Sequence, residues 1–343
     1  MILIYGASYG ILVASKLMLA GYDVVCVCKK EEADLINNEG FSLEIDSYLK
    51  KKVILKSEKL NGNIKAIQPE SINLDNVKLV FLAMQEAQYH NSAILDSLSL
   101  IAKKKIPTIS IMNIPPSIYL KNFKINENDY QELSVAYKNF NLLNKFDINF
   151  ITHSSADPQI FKPFSNLNNY ISVRLASNFR IAKFRDKSSA ELIEKISNQI
   201  KISRYILNNK KTRIPVYLNL YDSNFVPISK WPMLITGNYR CLNNNQLMSI
   251  EEVVSQNIGL SKEIYDDVQM LCRSLGASDE ELIKFETYLK VAKKLISPSS
   301  VARLAFAKNK NFERLDKLIK SLCNIKKIKI KNIDQIIKNF EID

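Results

Sequence analysis

Met1-Ile-Leu-Ile-Tyr-Gly-Ala-Ser-Tyr-Gly10 opens the chain, and its reading decides the fold. Ile2 to Tyr5 is a short apolar run of the kind that forms a buried strand. It stops at Gly6, after which Ile11, Leu12, Ala14, Leu17 and Met18 recur at helical spacing until Gly21. Asp23-Val-Val-Cys-Val-Cys28 then supplies a second strand. Strand, glycine-bearing turn and helix are the parts of a phosphate cradle. Glycine lets the backbone approach a ligand, and the N–H groups of a helix start attract an anion. Gly6, Ala7, Ser8, Tyr9 and Gly10 are therefore the expected contacts of a nucleotide cofactor, with Ser8 in place of the middle glycine of the usual G-x-G-x-x-G.

Outward from this start, strands and helices alternate, which argues for a parallel doubly wound sheet. Glu31 to Asn38 reads as a helix closed by Gly40, and residues 41–45, 53–56 and 64–68 are β-like. Val77 to Met84 is a near-continuous apolar run, as expected of a central parallel strand. A helix over about 89–105 and a strand over Pro107–Met112 follow, ending at Asn113-Ile-Pro-Pro116. Ligands of such sheets lie outside the carboxyl ends of the strands, which adds Met84, Gln85 and Asn113 to the expected cofactor contacts. Residues 148–152 and 170–175 read as strands that finish or extend the sheet.

From Ser188 the period becomes helical, with Leu192, Ile193, Ile196 and Ile200 on one face. The expected division is thus 1–185, an α/β Rossmann-type domain, and 186–343, an all-helical domain. Ser249-x-x-Glu252 and Ser278-x-x-Glu281 have the form of capping boxes, the second opening a helix through Phe285 to Ile296. Ser297-Pro-Ser-Ser300 is another helix start, and residues 312–323 and 333–340 read as amphipathic helices.

A chain of 343 residues has room for two cores, and 46% hydrophobic with 24% charged residues is ordinary for a soluble protein. No apolar run approaches the ~20 residues of a membrane helix, and no basic leader precedes the first strand. A cytoplasmic protein with no membrane partner is expected. The five cysteines lack zinc-ligand spacing and read as reduced thiols, and two histidines cannot build a His-rich metal site, so no metal is expected. The net charge of +13 comes from scattered lysines, and neither a ribonucleoprotein motif nor a zinc finger nor a helix-turn-helix accompanies it. Nucleic acid is accordingly not an expected partner, whereas a basic field that draws in anionic small molecules is. Strand two ends in Cys28-Lys29-Lys30, with no acid for a ribose diol but two ammonium groups for a 2′-phosphate. NADP(H) is therefore favoured over NAD(H).

Two patterns resemble the ketopantoate reductase (2-dehydropantoate 2-reductase) family. One is Gly6 through Val24 followed by Asp34-Leu-Ile-Asn-Asn-Glu-Gly40-Phe-Ser-Leu-Glu44. The other is Ser229-Lys-Trp-Pro-Met-Leu-Ile-Thr-Gly-Asn238 together with Ser299-Ser300 and Glu313. The resemblance implies a Rossmann domain, a helical second domain, and NADPH-dependent reduction of a small 2-oxo acid or related carbonyl. It further implies Lys230, Asn238 and Glu313 as catalytic residues, and Asn113, Ser299 and Ser300 as contacts of a carboxylate substrate. Two registers are open for the lysine. The family's tryptophan-x-lysine falls on Trp231-Pro232-Met233, while the spacing from lysine to asparagine falls on Lys230 and Asn238. The family's asparagine-glycine pair is Asn113-Ile114 here, followed by two prolines, and its frequent lysine near Met84 is Gln85. These departures leave a non-catalytic NADP-binding sensor as the alternative. A homodimer is compatible with either reading.

The chemistry suits the residue types. Hydride delivery to a carbonyl builds negative charge on oxygen, which an ammonium or amide stabilises, and lysine also supplies the proton. Plainer roles stand beside these: Lys230 as a surface lysine, Glu313 as an exposed carboxylate in a first helical turn, Ser299-Ser300 as a helix cap, and His90 and His153 as structural residues. Gly6-Ala-Ser-Tyr-Gly10-Ile11 also resembles the short-chain dehydrogenase glycine motif. Leu12 replaces the next glycine, however, and Tyr48 with Lys52 comes too early to be the catalytic pair.

Overall fold

The structure, a computed structural model, describes residues 1–45, 52–155, 160–163, 167–173 and 179–341. Tyr48 and the end of the predicted strand 170–175 lie outside the described residues. The chain forms two compact units. The first comprises Met1–Met84, Tyr89–Met112 and Asn144–Asp222, and the second Gln85–Gln88, Asn113–Leu143 and Ser223–Asp343.

In chain order, β1 (Ile2–Tyr5), α1 (Ser8–Leu19), β2 (Val24–Val27) and α2 (Lys30–Glu39) come first. β3 (Ser42–Ile45), β4 (Val53–Lys56), β5 (Ile64–Ile67) and β6 (Leu79–Leu82) follow. Next are α3 (Ser92–Lys103), β7 (Thr108–Ile111) and two single-turn helices, α4 (Glu127–Tyr130) and α5 (Phe140–Leu143). β8 (Ile151–Ser154), β9 (Ile160–Phe161), β10 (Tyr170–Val173) and β11 (Arg180–Ala182) lead to α6 (Lys187–Ile202). β12 (Tyr205–Leu207), β13 (Lys210–Thr212) and β14 (Asn219–Tyr221) close the first unit. The second unit continues with α7 (Trp231–Thr236), the hairpin β15 (Leu242–Asn243) and β16 (Gln246–Leu247), α8 (Ile250–Ser255) and α9 (Ile258–Leu275). α10 (Phe285–Ala292), α11 (Ser300–Phe306), α12 (Leu315–Lys326) and α13 (Ile333–Asn339) complete it.

The main sheet has the order β14-β11-β8-β7-β6-β1-β2-β5. From β5 to β8 all neighbours are parallel, and β11 runs antiparallel to β8. β1 lies between β2 and β6, so the chain reverses its direction of progress across the sheet at β1. This is the switch point at which doubly wound folds bind ligands. β3 and β4 are absent from this run of strands. They pair with each other and, through β3, with β10 in a separate sheet of order β4-β3-β10-β9. The expectation that residues 170–175 extend the main sheet is thereby corrected: Tyr170–Val173 pairs in parallel with Ser42–Ile45 instead.

Helix α1 explains the second sheet. Every residue from Gly10 to Leu19 is buried, so this helix has no face for water and must be covered on all sides. β1 and β2 cover one side, β3 and β10 another, and α6 a third. Even Lys16 is fully buried; its Nζ donates to the Tyr217 carbonyl at 3.0 Å and stands 4.8 Å from the Phe179 ring centre. Ile193, Ile196 and Ile200 of α6 belong to the same core as Leu12 and Leu17. The change to helical period near 185 therefore does not end the first unit, which continues to Asp222. β12 to β14 add strands where the sequence reading expected only helices.

In the second unit the Ser249–Glu252 capping box forms in both directions, and Gly276 ends α9 at φ +125°. At Ser278 only half of the motif is used. Glu281 accepts the Ser278 N–H, but helix does not begin until Phe285.

If α6 is part of the first core, Ile193→Ala should lower the unfolding free energy by about 2–5 kcal/mol, while Glu194→Ala on its exposed face should change it by less than about 0.5 kcal/mol. Urea denaturation read by circular dichroism measures both, and equal effects would separate α6 from that core.

Candidate functional site

The cradle is set by two close approaches within the first unit. Gly6 has φ +98°, in the left-handed region, and a Cβ there would stand 2.5 Å from Met84 Cγ and 3.0 Å from the Ala83 carbonyl oxygen. A Cβ on Gly10 would meet Ile4 Cγ2 at 3.1 Å and Cys26 Sγ at 3.3 Å, so this glycine sets how tightly α1 lies on the sheet. The Gly6 N–H bonds to the Val27 carbonyl and the Ala83 N–H to the Tyr5 carbonyl, which brings the ends of β1, β2 and β6 to one edge. Ala7 occupies the cap position of α1 without a side-chain cap bond, and the first turn holds no acidic residue. Ser8 and Tyr9 are half-buried. An uncapped, acid-free helix start behind a glycine turn suits an anion. Lys29 and Lys30 are exposed after β2, with Lys30 Nζ 2.6 Å from Asp34 in an i,i+4 pair that solvent screens. Met84 is half-buried, and its N–H donates to Tyr89 Oη.

In the second unit a different set of residues is held together by one buried carboxylate. Glu313 is fully buried, two residues before α12. Its Oε1 accepts the N–H groups of Glu86 and Asn113, both at 3.2 Å, and its Oε2 accepts Asn113 N–H at 3.0 Å. Its own N–H donates to Gln85 Oε1 at 3.1 Å, and its carbonyl accepts Tyr239 Oη at 2.7 Å. Trp231 Nε1 donates to the Asn113 carbonyl at 3.3 Å, next in sequence to Lys230. Ser299 Oγ donates to the Asn238 carbonyl at 2.7 Å, next to Tyr239, while capping α11 through the Ala302 N–H. Gln85, Asn113 and Glu313 thus enter this web through their own bonds. Asn238 enters it through its link to Ser299 and its neighbour Tyr239, and Lys230 through its neighbour Trp231.

Sequence reasoning missed Tyr239 and Glu86. Glu86 is 1% exposed, and its carboxylate accepts the single backbone N–H of Lys138, shared by Oε1 at 3.1 Å and Oε2 at 3.2 Å, and the backbone N–H of Asn139, with Asn139 Nδ2 donating to the Glu86 carbonyl. The only signal was position, immediately beyond the apolar run Val77 to Met84. Burial is the larger influence on both carboxylates. It raises Glu313 to about 8 against the opposing pull of the backbone N–H donors, with the nearby Glu86 charge adding to the rise. Glu86 also lies above the usual carboxylate range for the same reason. Burial and the charges of Glu86 and Glu313 push the Tyr137 hydroxyl well up.

Neither histidine enters this web. His153 is buried in β8 with Nδ1 2.9 Å from Ser110 Oγ, and burial lowers it to about 3; His90 is exposed.

No family sequence model matches the chain, and no curated protein sequence matches it. Solved structures do. A ketopantoate reductase from Ralstonia eutropha JMP134 aligns over 99% of this chain and 97% of its own, at a TM-score of 0.62 and 12% identity. The dimeric ketopantoate reductase of Staphylococcus aureus aligns over 99% and 96%, at 0.61 and 10%. The fold is that of the ketopantoate reductases. It extends to other dehydrogenases, since a D-mandelate dehydrogenase in complex with NADH aligns over 99% and 97%, at 0.59 and 9%.

Several residues implied by the ketopantoate reductase resemblance sit differently from their plainer readings. Lys230 is buried at 4% exposure on the turn before α7, not on the surface. Met233, in the competing register, is a half-buried residue of α7. Glu313 is not an exposed first-turn acid, and both its oxygens accept backbone N–H groups. Asn238 and Ser299 are buried, whereas Ser300 is exposed in the first turn of α11.

Because Glu313 takes its proton at a higher pH when folded, the native chain binds an extra proton between about 4.5 and 8, and stability should fall as pH rises through that window. Trp231 is the sole tryptophan and bonds to the same Asn113 peptide unit region that Glu313 holds. Its fluorescence should titrate with a midpoint near 8, and Glu313→Gln should remove that transition. A transition that survives the substitution would assign it to another group.

Proposed function

We propose that the chain is an NADP(H)-dependent oxidoreductase, a divergent relative of the ketopantoate reductases that reduces a small 2-oxo acid or related carbonyl to the hydroxy compound. The observation that carries this reading is Lys230, a buried ammonium beside Trp231, whose indole is tied to Asn113 and through it to Glu313. A buried ammonium in a largely water-excluded site is suited to stabilising an oxyanion.

A dinucleotide fits the cradle, since a side chain at Gly6 would fill the turn and nothing acidic stands at the helix start. The backbone of Gly6 to Gly10 would hold the pyrophosphate, the Ser8 hydroxyl would add a bond, and Lys29 and Lys30 would meet a 2′-phosphate. Bound NADPH supplies the hydride. Lys230 stabilises the charge that grows on the carbonyl oxygen and gives it a proton, and the Asn238 and Asn113 amides orient the substrate. Ser300, exposed at the start of α11, meets the substrate carboxylate, while Ser299 holds Asn238 in place. Glu313 acts as a positioning residue in this reading, because its oxygens are already engaged with the backbone. A cytoplasmic homodimer belongs to the same reading, the dimeric Staphylococcus aureus enzyme being a precedent of the fold.

Purified chain should bind NADPH and oxidise it with at least one member of a panel of small 2-oxo acids. Lys230→Ala should lower kcat by on the order of 10²–10³ without loss of NADPH binding. Replacing Lys29 and Lys30 together by alanine should weaken NADPH at least tenfold and leave NADH unchanged, since even one charge-assisted bond contributes about 1.5–3 kcal/mol. NADPH binding with no turnover in either the parent or Lys230→Ala would favour the sensor, and no binding at all would refute both.

A further inference from the structure

The segment that follows β2 holds more acid than base. Across residues 29–34, Lys29 and Lys30 stand against Glu31, Glu32 and Asp34. Lys30 and Asp34 form an exposed pair that solvent screens, and Glu31 is exposed as well. Glu32 differs. Its side chain, in the first turn of α2, is only 17% exposed, so water screens it less. Its charge also reaches the cradle: hydrogen bonding with Cys28, burial, and the charges of Cys28 and Glu32 push the Cys26 thiol well up. Cys26 Sγ is the atom that a Cβ on Gly10 would meet at 3.3 Å. Left uncompensated, Glu32 would offer an acid to a ribose diol and repel a 2′-phosphate.

The compensation comes from a distant part of the same unit. Lys162 follows β9 directly and lies 130 positions from Glu32, yet its Nζ stands 2.7 Å from Glu32 Oε1. Of the ion pairs among the described residues, only this one and Arg314–Asp316 keep both side chains less than a third exposed. Lys162 Nζ has a second partner in Asn168 Oδ1, at 3.4 Å. Asn169, next in sequence, donates from Nδ2 to the carbonyl of Gly40 at the end of α2. β9 pairs with β10 and β10 with β3, so the strand that presents Lys162 is anchored in the second sheet. The pair also has a plain structural use, because it ties that sheet to α2 whether or not a nucleotide binds.

We infer that Lys162 is a specificity-determining residue of the cofactor site, one that neutralises Glu32 and so lets the end of β2 accept a 2′-phosphate. The inference rests on the NADP(H) reading of the cradle. With Lys162, three ammonium groups meet three carboxylates where residues 29–34 alone supply two. Glu32 is held as an ion-pair acceptor and is not left to the 2′-hydroxyl of NADH. Lys29 and Lys30 meet the phosphate, and Lys162 cancels the acid that would repel it.

Isothermal titration of the full chain with NADPH and with NADH tests this. The parent should prefer NADPH. Lys162→Met should weaken NADPH by about tenfold or more, as one uncompensated carboxylate near a phosphate requires, and should leave NADH as tight as before or tighter. Lys162→Arg should keep the parent's preference. Adding Glu32→Gln to Lys162→Met should return NADPH affinity toward that of the parent, with thermal melts checking that the double variant is folded. Glu32→Gln alone, which removes no cation, should bind NADPH at least as tightly as the parent. Unchanged NADPH affinity in Lys162→Met, equal weakening of both nucleotides, or no recovery in the folded double variant would leave the pair a structural tie and overturn the inference while the cofactor reading stands. A parent that binds neither nucleotide, or prefers NADH, would overturn both.

Discussion

Helix α1 has no side that water can reach, and the first unit is arranged around that constraint. A helix buried on every face must be enclosed, and one sheet encloses only one face. The second sheet and α6 supply the rest, which is why β3 and β10 leave the main sheet and why α6 stays with the first core. The same enclosure leaves the start of α1 as the place where the helix opens to solvent, through the half-buried Ser8 and Tyr9. Packing and cradle are therefore one design: Gly10 allows the helix to lie close, and Gly6 allows the chain to turn into it.

The second unit depends on a different kind of constraint. Glu313 is buried without the solvation a carboxylate ordinarily has, and backbone N–H groups take the place of water. Burial still outweighs them, as its raised proton affinity shows. Glu86 repeats the arrangement one step away, with the N–H groups of Lys138 and Asn139. Two short segments that follow β6 and β7 are thus fixed by hydrogen bonds to buried carboxyl groups as well as by the packing of Ala87 and Ile114, and the bonds are directional in a way that packing is not.

How much of this was legible in the sequence depended on the range of the interaction concerned. The β-α-β start, the strand at 79–82 and the Ser249 capping box are local patterns, and the structure follows them. Residues 170–173 form a strand as read, but their partner is β3, about 130 positions away, and no periodicity specifies a partner. Asparagine enrichment read as compositional bias also conceals turn chemistry. Asn208-Asn209 and Asn244-Asn245 all have positive φ and turn the hairpins β12–β13 and β15–β16, as two-residue hairpin loops require. At the candidate site the residue types of Lys230, Asn238, Ser299 and Glu313 were readable, but their burial was not. Glu86 was invisible because an acid after a strand looks like an ordinary solvated turn.

The long reach of the Glu313 bonds bears on the order in which the protein is made. The N–H groups of Glu86 and Asn113 wait for an acceptor that lies 227 and 200 positions downstream. During synthesis the ribosome releases the ends of β6 and β7 long before it adds residue 313, and until then water is their partner. The first unit is likewise interrupted, since residues 113–143 belong to the second. Neither unit is a contiguous length of chain: the first has all its residues once Asp222 has been added, whereas the second waits for the residues from Ser223 onward, Glu313 among them. A truncated product ending before residue 313 would leave the loops after β6 and β7 untied, whatever the quality of its opening glycine turn.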